Sequence, residues 1–184
     1  MTEHPLPSRP VIETPTLDDV EGYRRVQARG WLDSYPNEDA GVSHEWVEGQ
    51  TGNWLTPEAL ELSRERVQAI LDDPQQKFLY VAKVGGKPVG MVHTTAVDGN
   101  QRLEALYVDK EFHGTGVAQE LFDKAMTRLS PELPVTLEVI AYNERAQRFY
   151  SKNGFRIVPG SEHLYKGVMP SVVMVRPAGV THEV

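Results

Sequence analysis

Leu103-Glu104-Ala105-Leu106-Tyr107-Val108 and, after five further residues, Gly114-Thr115-Gly116-Val117-Ala118 form the stretch of sequence that decides the fold. The first run is largely apolar and predicts a strand, and the second opens a segment with helical periodicity that continues to Leu129. A strand that leads through a glycine-rich turn into a helix N-terminus favours anion binding, because free backbone N–H groups and about half a positive charge converge there. A tight turn between strand and helix would by itself also account for both glycines.

Strand patterns come immediately before this stretch. The segments 78–84 and 88–97 flank Gly85-Gly86, a two-residue hairpin signal, and Asp98-Gly99-Asn100 marks the next turn. These two turns predict a three-stranded antiparallel meander that ends with the strand at 102–108.

The segment after the glycines predicts one parallel strand. A helix over 116–129 separates the strand at 102–108 from a strand at 135–140, and a right-handed crossover of this kind makes the two strands parallel. The remaining elements are a helix over 143–152, strands over 155–158 and 171–176, and a loop over 159–170. We therefore expect an α/β (α+β) fold with a mixed, mostly antiparallel central sheet of six to seven strands and helices on both faces.

The N-terminal part of the chain predicts helices more than strands. Three prolines within residues 1–10 predict a flexible arm, and helical spacing follows Thr16 and again Thr56-Pro57, a helix start with proline at the first helical position. Between these helices, residues 31–54 are rich in aromatic side chains and predict a loop with one or two helical turns. The expected organisation is the arm, one domain over 11–177, and a C-terminal tail over 178–184.

Composition limits the classes of function. The chain has 184 residues and no cysteine, which excludes disulfides, thiolate metal sites and a cysteine nucleophile. Its formal net charge of −7 argues against nucleic-acid binding, which requires a basic face. No apolar run approaches the roughly 18 residues of a membrane helix, and the first residues resemble no secretory signal. The six histidines show no metal-ligand spacing, so we expect a cytoplasmic protein without a metal or a membrane contact.

Two common nucleotide-binding motifs are absent from the sequence. The dinucleotide fingerprint needs glycine or alanine where this chain has Gln119. A P-loop needs glycine, four residues and then Gly-Lys-Ser/Thr, and Gly85-Gly86-Lys87 does not fit that pattern. Because an antiparallel meander also precedes the glycine-rich turn, the sequence disfavours a nucleotide-binding fold of another kind.

Several short motifs together resemble the GNAT superfamily of acetyl-CoA-dependent N-acetyltransferases. They are Leu106-Tyr107-Val108, His113-Gly114-Thr115-Gly116-Val117-Ala118, Asn143, Tyr150 and Asn153-Gly154-Phe155. The match runs over roughly 78–158, with His113 where the family usually has Arg or Gln, and Lys110 where it commonly has Pro. The resemblance implies an acyl-CoA N-acyltransferase fold, acetyl-CoA as cosubstrate, and acetyl transfer to an amine by direct attack.

The resemblance also implies where the cosubstrate lies. The family's pantetheine arm is held like an added strand, so Leu106 and Val108, with Tyr107 between them, would offer backbone groups to it. The pyrophosphate would be held by His113 and by the amides of Gly114, Thr115, Gly116, Val117 and Ala118. Asn143 would contact the pantetheine arm. Core packing also accounts for Leu106 and Val108, and a helix N-cap role also accounts for Asn143.

Glu104 is the expected general base. A lysine-like amine with a pKa near 10.4 must attack as the neutral form, and keeping it neutral at pH 7 costs roughly 4.6 kcal/mol. The strand neighbours of Glu104 are apolar, so we expect its carboxylate to be partly desolvated and a better proton acceptor. Family members with a base on this strand agree with that role. The alternative is a structural salt bridge to Arg102.

Tyr150 is the expected partner of the departing CoA thiolate. It lies seven residues after Asn143, on the same helix face, where the resemblance implies a thiolate-facing tyrosine. A phenol with a pKa near 10 is a weaker acid than a thiol near 8.5 by roughly 2 kcal/mol. Tyr150 therefore needs a tuned pKa or acts mainly as a hydrogen-bond donor, and aromatic packing is the structural alternative.

The sequence thus predicts an N-acetyltransferase acting on an amine, either a small molecule or a peptide. The alternative from another class is a CoA-binding sensory or regulatory module of the same fold without turnover. Acidic residues within 33–48 suggest a cationic acceptor, although solvated loop charge explains them too. The resemblance also suggests a homodimer.

Overall fold

The computed structural model describes residues 10–180. The predicted N-terminal arm lies outside the described residues except for Pro10, as do the last four residues of the predicted tail. The described residues form five α-helices and eight strands, besides three single turns of 3-10 helix. In chain order they are β1 (Val11–Glu13), α1 (Val20–Ser34), α2 (His44–Thr51), α3 (Pro57–Asp72), β2 (Lys77–Val84), β3 (Lys87–Val97), β4 (Asn100–Val108), α4 (Val117–Met126), β5 (Val135–Ile140), α5 (Glu144–Lys152), β6 (Arg156–Ile157), β7 (His163–Tyr165) and β8 (Met169–Arg176).

The sheet has the order β1-β2-β3-β4-β5-β8-β6, and β7 pairs with β8. All pairings are antiparallel except that of β4 with β5, so the predicted meander, crossover and mixed sheet are confirmed. The described residues form eight strands rather than six or seven, because the predicted loop at 159–170 contains β7. Three residues are too few to show strand alternation, so this element was hidden in the sequence.

Local signals account for the turns and helix ends. Gly85 and Gly86 both have positive φ, as do Asp98 and Gly99, which gives the two tight turns of the meander. The Thr56 side chain accepts a hydrogen bond from the Ala59 amide and caps α3. The two turns set the register of β2, β3 and β4.

Helices cover both faces of the sheet, as predicted. Alternation along β2 sends Phe78 and Tyr80 into one core, which α4 covers, and Leu79 and Val81 into the other, which α1 and α3 cover. The buried residues on α4 are Val117, Leu121, Phe122 and Ala125. Burial of these apolar side chains is the main force that holds the layers together.

The sheet opens into a fork between β4 and β5. Their parallel pairing comprises three residue pairs and ends at Leu103 and Leu137. Just beyond, β4 contains a bulge at Glu104, since His93 pairs with Ala105 while Thr94 pairs with Leu103. Because β4 continues to follow β3 and β5 continues to follow β8, the two strands diverge and leave a cleft between them.

Helix α1 lies unusually close to β4. A β-carbon placed on Gly30 would lie 2.5 Å from Cδ1 of Tyr107, so the absence of a side chain permits the approach. At the adjacent position, Arg29 forms a bidentate ion pair with Asp109 just after β4, with distances of 2.9 and 2.6 Å. These contacts place the C-terminal half of α1 as one wall of the cleft.

Candidate active site

A cavity of about 390 Å³ occupies the fork between β4 and β5. Helices α1, α4 and α5 contribute walls, and Tyr165 of β7 closes one side. It is lined by ten of the twelve predicted site residues, namely Glu104, Leu106, Tyr107, Val108, His113, Gly114, Gly116, Ala118, Asn143 and Tyr150. The side chain of Thr115 is exposed and that of Val117 is buried in the core, so at these two positions only backbone groups are available to a ligand in the cleft.

The turn before α4 presents free backbone donors. Within residues 10–180, no hydrogen-bond acceptor is found for the amides of Gly114, Gly116, Val117 and Ala118. The Thr115 amide is already used, since it donates to the Phe112 carbonyl at 3.3 Å. Gly114 and Gly116 have φ of +78° and +94°, which side chains disfavour. The turn therefore offers an exposed group of N–H donors at a helix N-terminus, as an anion requires.

The free edge of β4 faces the cleft. The Asp109 amide donates to Val89 of β3 at 2.8 Å, so alternation turns the backbone groups of Leu106 and Val108 towards the opposite, β5 side. The side chains of Leu106 and Val108 also pack against the core under α4. Core packing and a free strand edge are therefore compatible at Leu106, whereas the Val108 carbonyl is already occupied by a hydrogen bond from His113.

His113 and Arg145 meet at the end of the cleft next to the turn before α4. His113 Nε2 donates to the Val108 carbonyl at 2.9 Å, and the Arg145 guanidinium donates to His113 Nδ1. Both ring nitrogens of His113 are therefore occupied, and its role as a phosphate donor stays a prediction. Sequence reasoning missed Arg145, an exposed cation that comes near the turn only when α5 packs beside it.

Aromatic side chains form the wall opposite α4. The Tyr107 hydroxyl lies 2.9 Å from that of Tyr35, and burial raises the pKa of Tyr107 to about 12. The Trp31 ring packs edge-on against Tyr35, Trp54 and Tyr165, with centroid distances of 5.0, 5.0 and 6.2 Å. The aromatic-rich segment of the sequence thus packs as a core and also borders the cavity.

Tyr150 faces the cleft from α5. Its ring packs against Phe149 and Phe155, with centroid distances of 5.4 and 5.8 Å. Its hydroxyl has no hydrogen-bond partner within the part of the chain that the structure describes. Burial, and after it the nearby Tyr107, raises the pKa of Tyr150 well above its ordinary value, so the phenol is protonated. Asn143 caps α5 by accepting from the Ala146 amide at 3.1 Å and also lines the cavity.

Glu104 lies at the bulge, at the mouth of the fork. Its Oε1 accepts a hydrogen bond from Thr95 Oγ1 at 2.9 Å and lies 3.5 Å from Arg102 Nε. The desolvation expected for this carboxylate is not found, because its side chain is 34% exposed. Its apolar strand neighbours do not enclose it, and the salt-bridge alternative is therefore present. Its role as a base stays a prediction.

Sequence reasoning missed a second carboxylate in the cleft, Glu138 of β5. Its Oε1 lies 2.8 Å from Nε2 of His163, whose Nδ1 donates to the Ser161 carbonyl at 2.9 Å. These hydrogen bonds raise the pKa of His163, the one to Ser161 foremost and the one to Glu138 next. A sequence signal existed, because Leu-Glu occurs in both strands of the parallel pair, at 103–104 and at 137–138.

Two other features, a metal-binding cluster and a membrane-spanning helix, are not found among residues 10–180. No group of three or more His, Asp or Glu side chains among residues 10–180 is arranged to hold a metal ion. None of the helices in that range combines the length and the apolar character needed to cross a membrane.

The model of the "Acetyltransferase (GNAT) domain" family matches residues 51–174, more than half of the chain. The chain belongs to the GNAT acetyltransferase family. The resemblance drawn from the short motifs is thereby confirmed. The GNAT chain is 38% identical over 101 residues to the uncharacterised N-acetyltransferase Rv2669 of Mycobacterium tuberculosis (strain ATCC 25618 / H37Rv). That match spans 52% of this chain and 63% of the relative, less than two thirds of its length.

Two other comparisons concern a named enzyme and a solved structure. This GNAT protein is 36% identical over 112 residues to the peptidyl-lysine N-acetyltransferase YjaB of Escherichia coli (strain K12), covering 61% of this chain and 70% of YjaB. It matches the crystal structure of the PaiA N-acetyltransferase of Thermoplasma acidophilum in complex with coenzyme A. The TM-score is 0.71 at 20% identity, over 91% of this chain and 98% of PaiA. The predicted acyl-CoA N-acyltransferase type of fold is therefore confirmed.

Proposed function

We propose that this GNAT protein transfers an acetyl group from acetyl-CoA to an amine by direct attack of the amine on the thioester. The observation that supports this most is the fork itself, which joins an unpaired edge of β4 to free N–H donors at the start of α4. One ligand with an extended amide-bearing arm and a phosphate end fits that combination. The absence of cysteine from the sequence agrees with direct attack, since it removes a thiol nucleophile.

The residues present fit acetyl-CoA in two places. The amides of Gly114, Gly116, Val117 and Ala118 would hold the pyrophosphate, with Arg145 as the nearby cation. The backbone of Leu106 would hold the pantetheine arm as an added strand, and Asn143 would contact the same arm. When bound, acetyl-CoA supplies the acetyl group as an activated thioester.

Tyr150 would act mainly by donating a hydrogen bond to the sulfur as negative charge develops there. The raised pKa of its phenol makes complete proton transfer to a thiolate, whose conjugate acid has a pKa near 8.5, unfavourable. A protonated, unpartnered hydroxyl in a largely apolar setting is nevertheless a strong donor. The structure thus favours the second of the two roles that the sequence left open for Tyr150.

The acceptor is proposed to be a cationic amine, either a small molecule or a peptide side chain. Three carboxylates line the cavity, Asp33, Glu104 and Glu138, together with aromatic faces that also attract cations. The similarity to YjaB, a peptidyl-lysine N-acetyltransferase, agrees with this class of acceptor. Formation of a homodimer stays a prediction.

Calorimetry and thiol release test this proposal. Purified protein is titrated with acetyl-CoA and with CoA, and released thiol is then measured with a lysine-containing peptide, a peptide with a free N-terminal amine and a diamine. We expect binding of both cofactor forms and turnover with at least one acceptor. No binding at millimolar ligand would contradict the proposal. Binding without turnover on any acceptor would instead support the sensory or regulatory module.

A further inference from the structure

We propose that Glu138, working with His163, takes up the proton of the acceptor amine, and that Glu104 binds the ammonium group. This inference rests on the proposed function and reassigns the base role from Glu104 to a residue on the other arm of the fork. It starts from the symmetry of the fork, because the last paired residues are Leu103 and Leu137 and a glutamate follows each.

The two glutamates point to the same side of the sheet. Leu103 and Leu137 both pack into the core under α4, so the residues that follow them turn to the opposite face. That face carries Trp31 and Tyr165, and both carboxylates act on the Tyr165 hydroxyl strongly enough to raise its pKa, after burial as the main cause. An amine entering between the arms therefore meets one carboxylate from each strand.

The partners of the two carboxylates differ in one decisive way. Glu104 is paired with Arg102, whose guanidinium does not lose its proton in proteins, and it also accepts from Thr95. Glu138 is paired with His163, whose imidazole exchanges a proton near neutral pH. Glu138 can therefore pass a proton on directly. Among residues 10–180 no histidine is hydrogen-bonded to Glu104, since the nearby His93 interacts with it only through charge, so Glu104 is suited to holding positive charge.

Hydrogen-bond geometry fixes which nitrogen of His163 exchanges the proton. Nδ1 faces the Ser161 carbonyl, which only accepts, so Nδ1 carries a hydrogen in both protonation states. Nε2 faces the Glu138 carboxylate and is therefore the nitrogen that gains and loses the proton. The His163 side chain is 40% exposed and that of Glu138 is 26% exposed and borders the cavity, so the pair joins the cleft to solvent.

Other charged groups near the pair belong to neighbouring strands. Glu104 and Arg102 lie across the fork on β4, Tyr165 lies on β7, and Lys166 lies 5.9 Å from the Tyr165 ring centroid. Glu162 precedes His163 and is exposed, with its side chain outside the cavity. None of these groups offers the direct hydrogen bond to His163 that Glu138 provides.

The proton balance of the step is as follows. An N–H bond of the acceptor ammonium breaks, its electron pair stays on nitrogen, and the proton passes through Glu138 to neutral His163 Nε2 and then to water. The neutral amine forms the C–N bond as the C–S bond breaks, and its second proton goes to the leaving thiolate. One ammonium and one thioester thus yield one amide, one thiol and one released proton.

Three isosteric variants test the assignment: Glu138→Gln, Glu104→Gln and, as a matched control, Glu162→Gln. Thiol release is followed with acetyl-CoA and Nα-acetyl-lysine amide or 1,4-diaminobutane as the acceptor probe. We expect Glu138→Gln to lower kcat about 10²-fold with little change in the KM for the acceptor. Glu104→Gln should mainly raise that KM, and Glu162→Gln should match the parent protein.

The pH profile of His163→Gln supplies a readout that a purely structural role would not move, and an NMR titration of His163 tests the contact with Glu138. The activity of the parent protein should rise with pH as His163 becomes neutral, and His163→Gln should displace this limb by about one pH unit or more. In Glu138→Gln, the ring signals of His163 should titrate at lower pH than in the parent protein.

The outcomes separate this inference from the proposed function. If the parent protein releases thiol while Glu138→Gln keeps at least half of its kcat, this assignment is overturned and the proposed function stands. A titration of His163 that does not respond to Glu138→Gln also overturns it. If the parent protein binds no acetyl-CoA and releases no thiol with either probe, the proposed function and this inference both fall.

Discussion

The hydroxyl group of Tyr150 combines two properties that are seldom found together in a phenol. It has no hydrogen-bond partner among residues 10–180, and its pKa is raised by burial and by Tyr107. The side chain is half-buried and lines the cavity, so its hydroxyl is available to a ligand bound there. Its ring is fixed by Phe149 and Phe155 and does not depend on the hydroxyl.

Tyr150→Phe should therefore lower kcat on the order of 10²-fold while the protein keeps its fold and its affinity for CoA. The reason is that the substitution removes one donor to the developing thiolate and leaves the aromatic contacts intact. Steady-state thiol release gives kcat, and calorimetry with CoA is the control. A variant with unchanged kcat would show that Tyr150 only packs against its neighbours.

For single residues, the sequence predicted which of them border the cavity better than it predicted how exposed their side chains are. Ten of the twelve predicted site residues border one cavity, because a strand edge and a helix start are local features. The exposure of Glu104 was not predictable, since it follows from the bulge opposite His93 and Thr94. Arg145 was missed because it reaches the cleft only through the packing of α5, which no local pattern encodes. Glu138 was missed although Leu-Glu occurs in both strands of the parallel pair, because that repeat has meaning only once β4 and β5 are paired.

At the level of elements, the turn before α4 is the part whose backbone matters most. Gly116 has a φ of +94° and open space around its missing β-carbon. A side chain there would therefore cost free energy through the left-handed backbone conformation and would not clash with other atoms. Gly86 in the β2–β3 turn has a φ of +77° and is equally open, but it is not among the residues that line the cavity. The two glycines therefore form a matched pair.

Gly116→Ala and Gly86→Ala should each lower the free energy of unfolding by about 1 kcal/mol, because both place a side chain in the left-handed region. Only Gly116→Ala should also weaken CoA binding, by about tenfold or more, because a shifted turn misdirects the free amides. Denaturant titration and calorimetry measure the two effects. Equal CoA affinities for the two variants would argue against phosphate binding at this turn.

The elements themselves were predictable where a turn signal or a long periodic run marked them. Gly85-Gly86 and Asp98-Gly99 defined the meander, and the apolar face of α4 defined the crossover. Strand β7 was not predictable, because its three residues are recognised as a strand only by pairing with β8. The fork could not be predicted from the sequence either, since the point at which β4 and β5 stop pairing depends on their pairing with β3 and β8.

At the scale of the whole molecule, one ionic network joins the first strand, the first long helix and the sheet. Lys83 Nζ lies 2.7 Å from Asp19 Oδ2 and 2.7 Å from Glu13 Oε1, and the Asp19 side chain is almost fully buried. Asp19 also accepts hydrogen bonds from the Thr16 amide and hydroxyl, at 2.8 and 2.9 Å. Burial alone would raise the pKa of Asp19, but these hydrogen bonds outweigh burial and lower it below 3.8.

This lowered pKa has a defined effect on stability. A carboxyl group with a lower pKa in the folded state stabilises the fold above its unfolded pKa of 3.8, and the contribution is lost as pH falls through the folded value. Asp19→Asn should therefore lower the free energy of unfolding by about 2 kcal/mol at neutral pH, and the deficit should shrink in strong acid. Urea titrations at several pH values measure the loss of unfolding free energy and its dependence on pH.

Glu21→Gln is the control for this prediction, because Glu21 lies two residues further on, in the first turn of α1, in an exposed ion pair with Arg25. Exposed pairs contribute little, so this variant should change the free energy of unfolding by less than about 0.5 kcal/mol at any pH. A deficit for Asp19→Asn that stayed constant into strong acid would contradict the role given to its ionised carboxylate.

The contact between Gly30 and Tyr107 has a consequence for the width of the cleft beside α1. Helix α1 rests on the Tyr107 ring at Gly30, one of its two glycines, while Arg29 anchors the same turn to Asp109. Any larger residue at position 30 would lift the helix from its support and enlarge the opening beneath it. The width of the cleft beside α1 therefore depends on the absence of a β-carbon at residue 30.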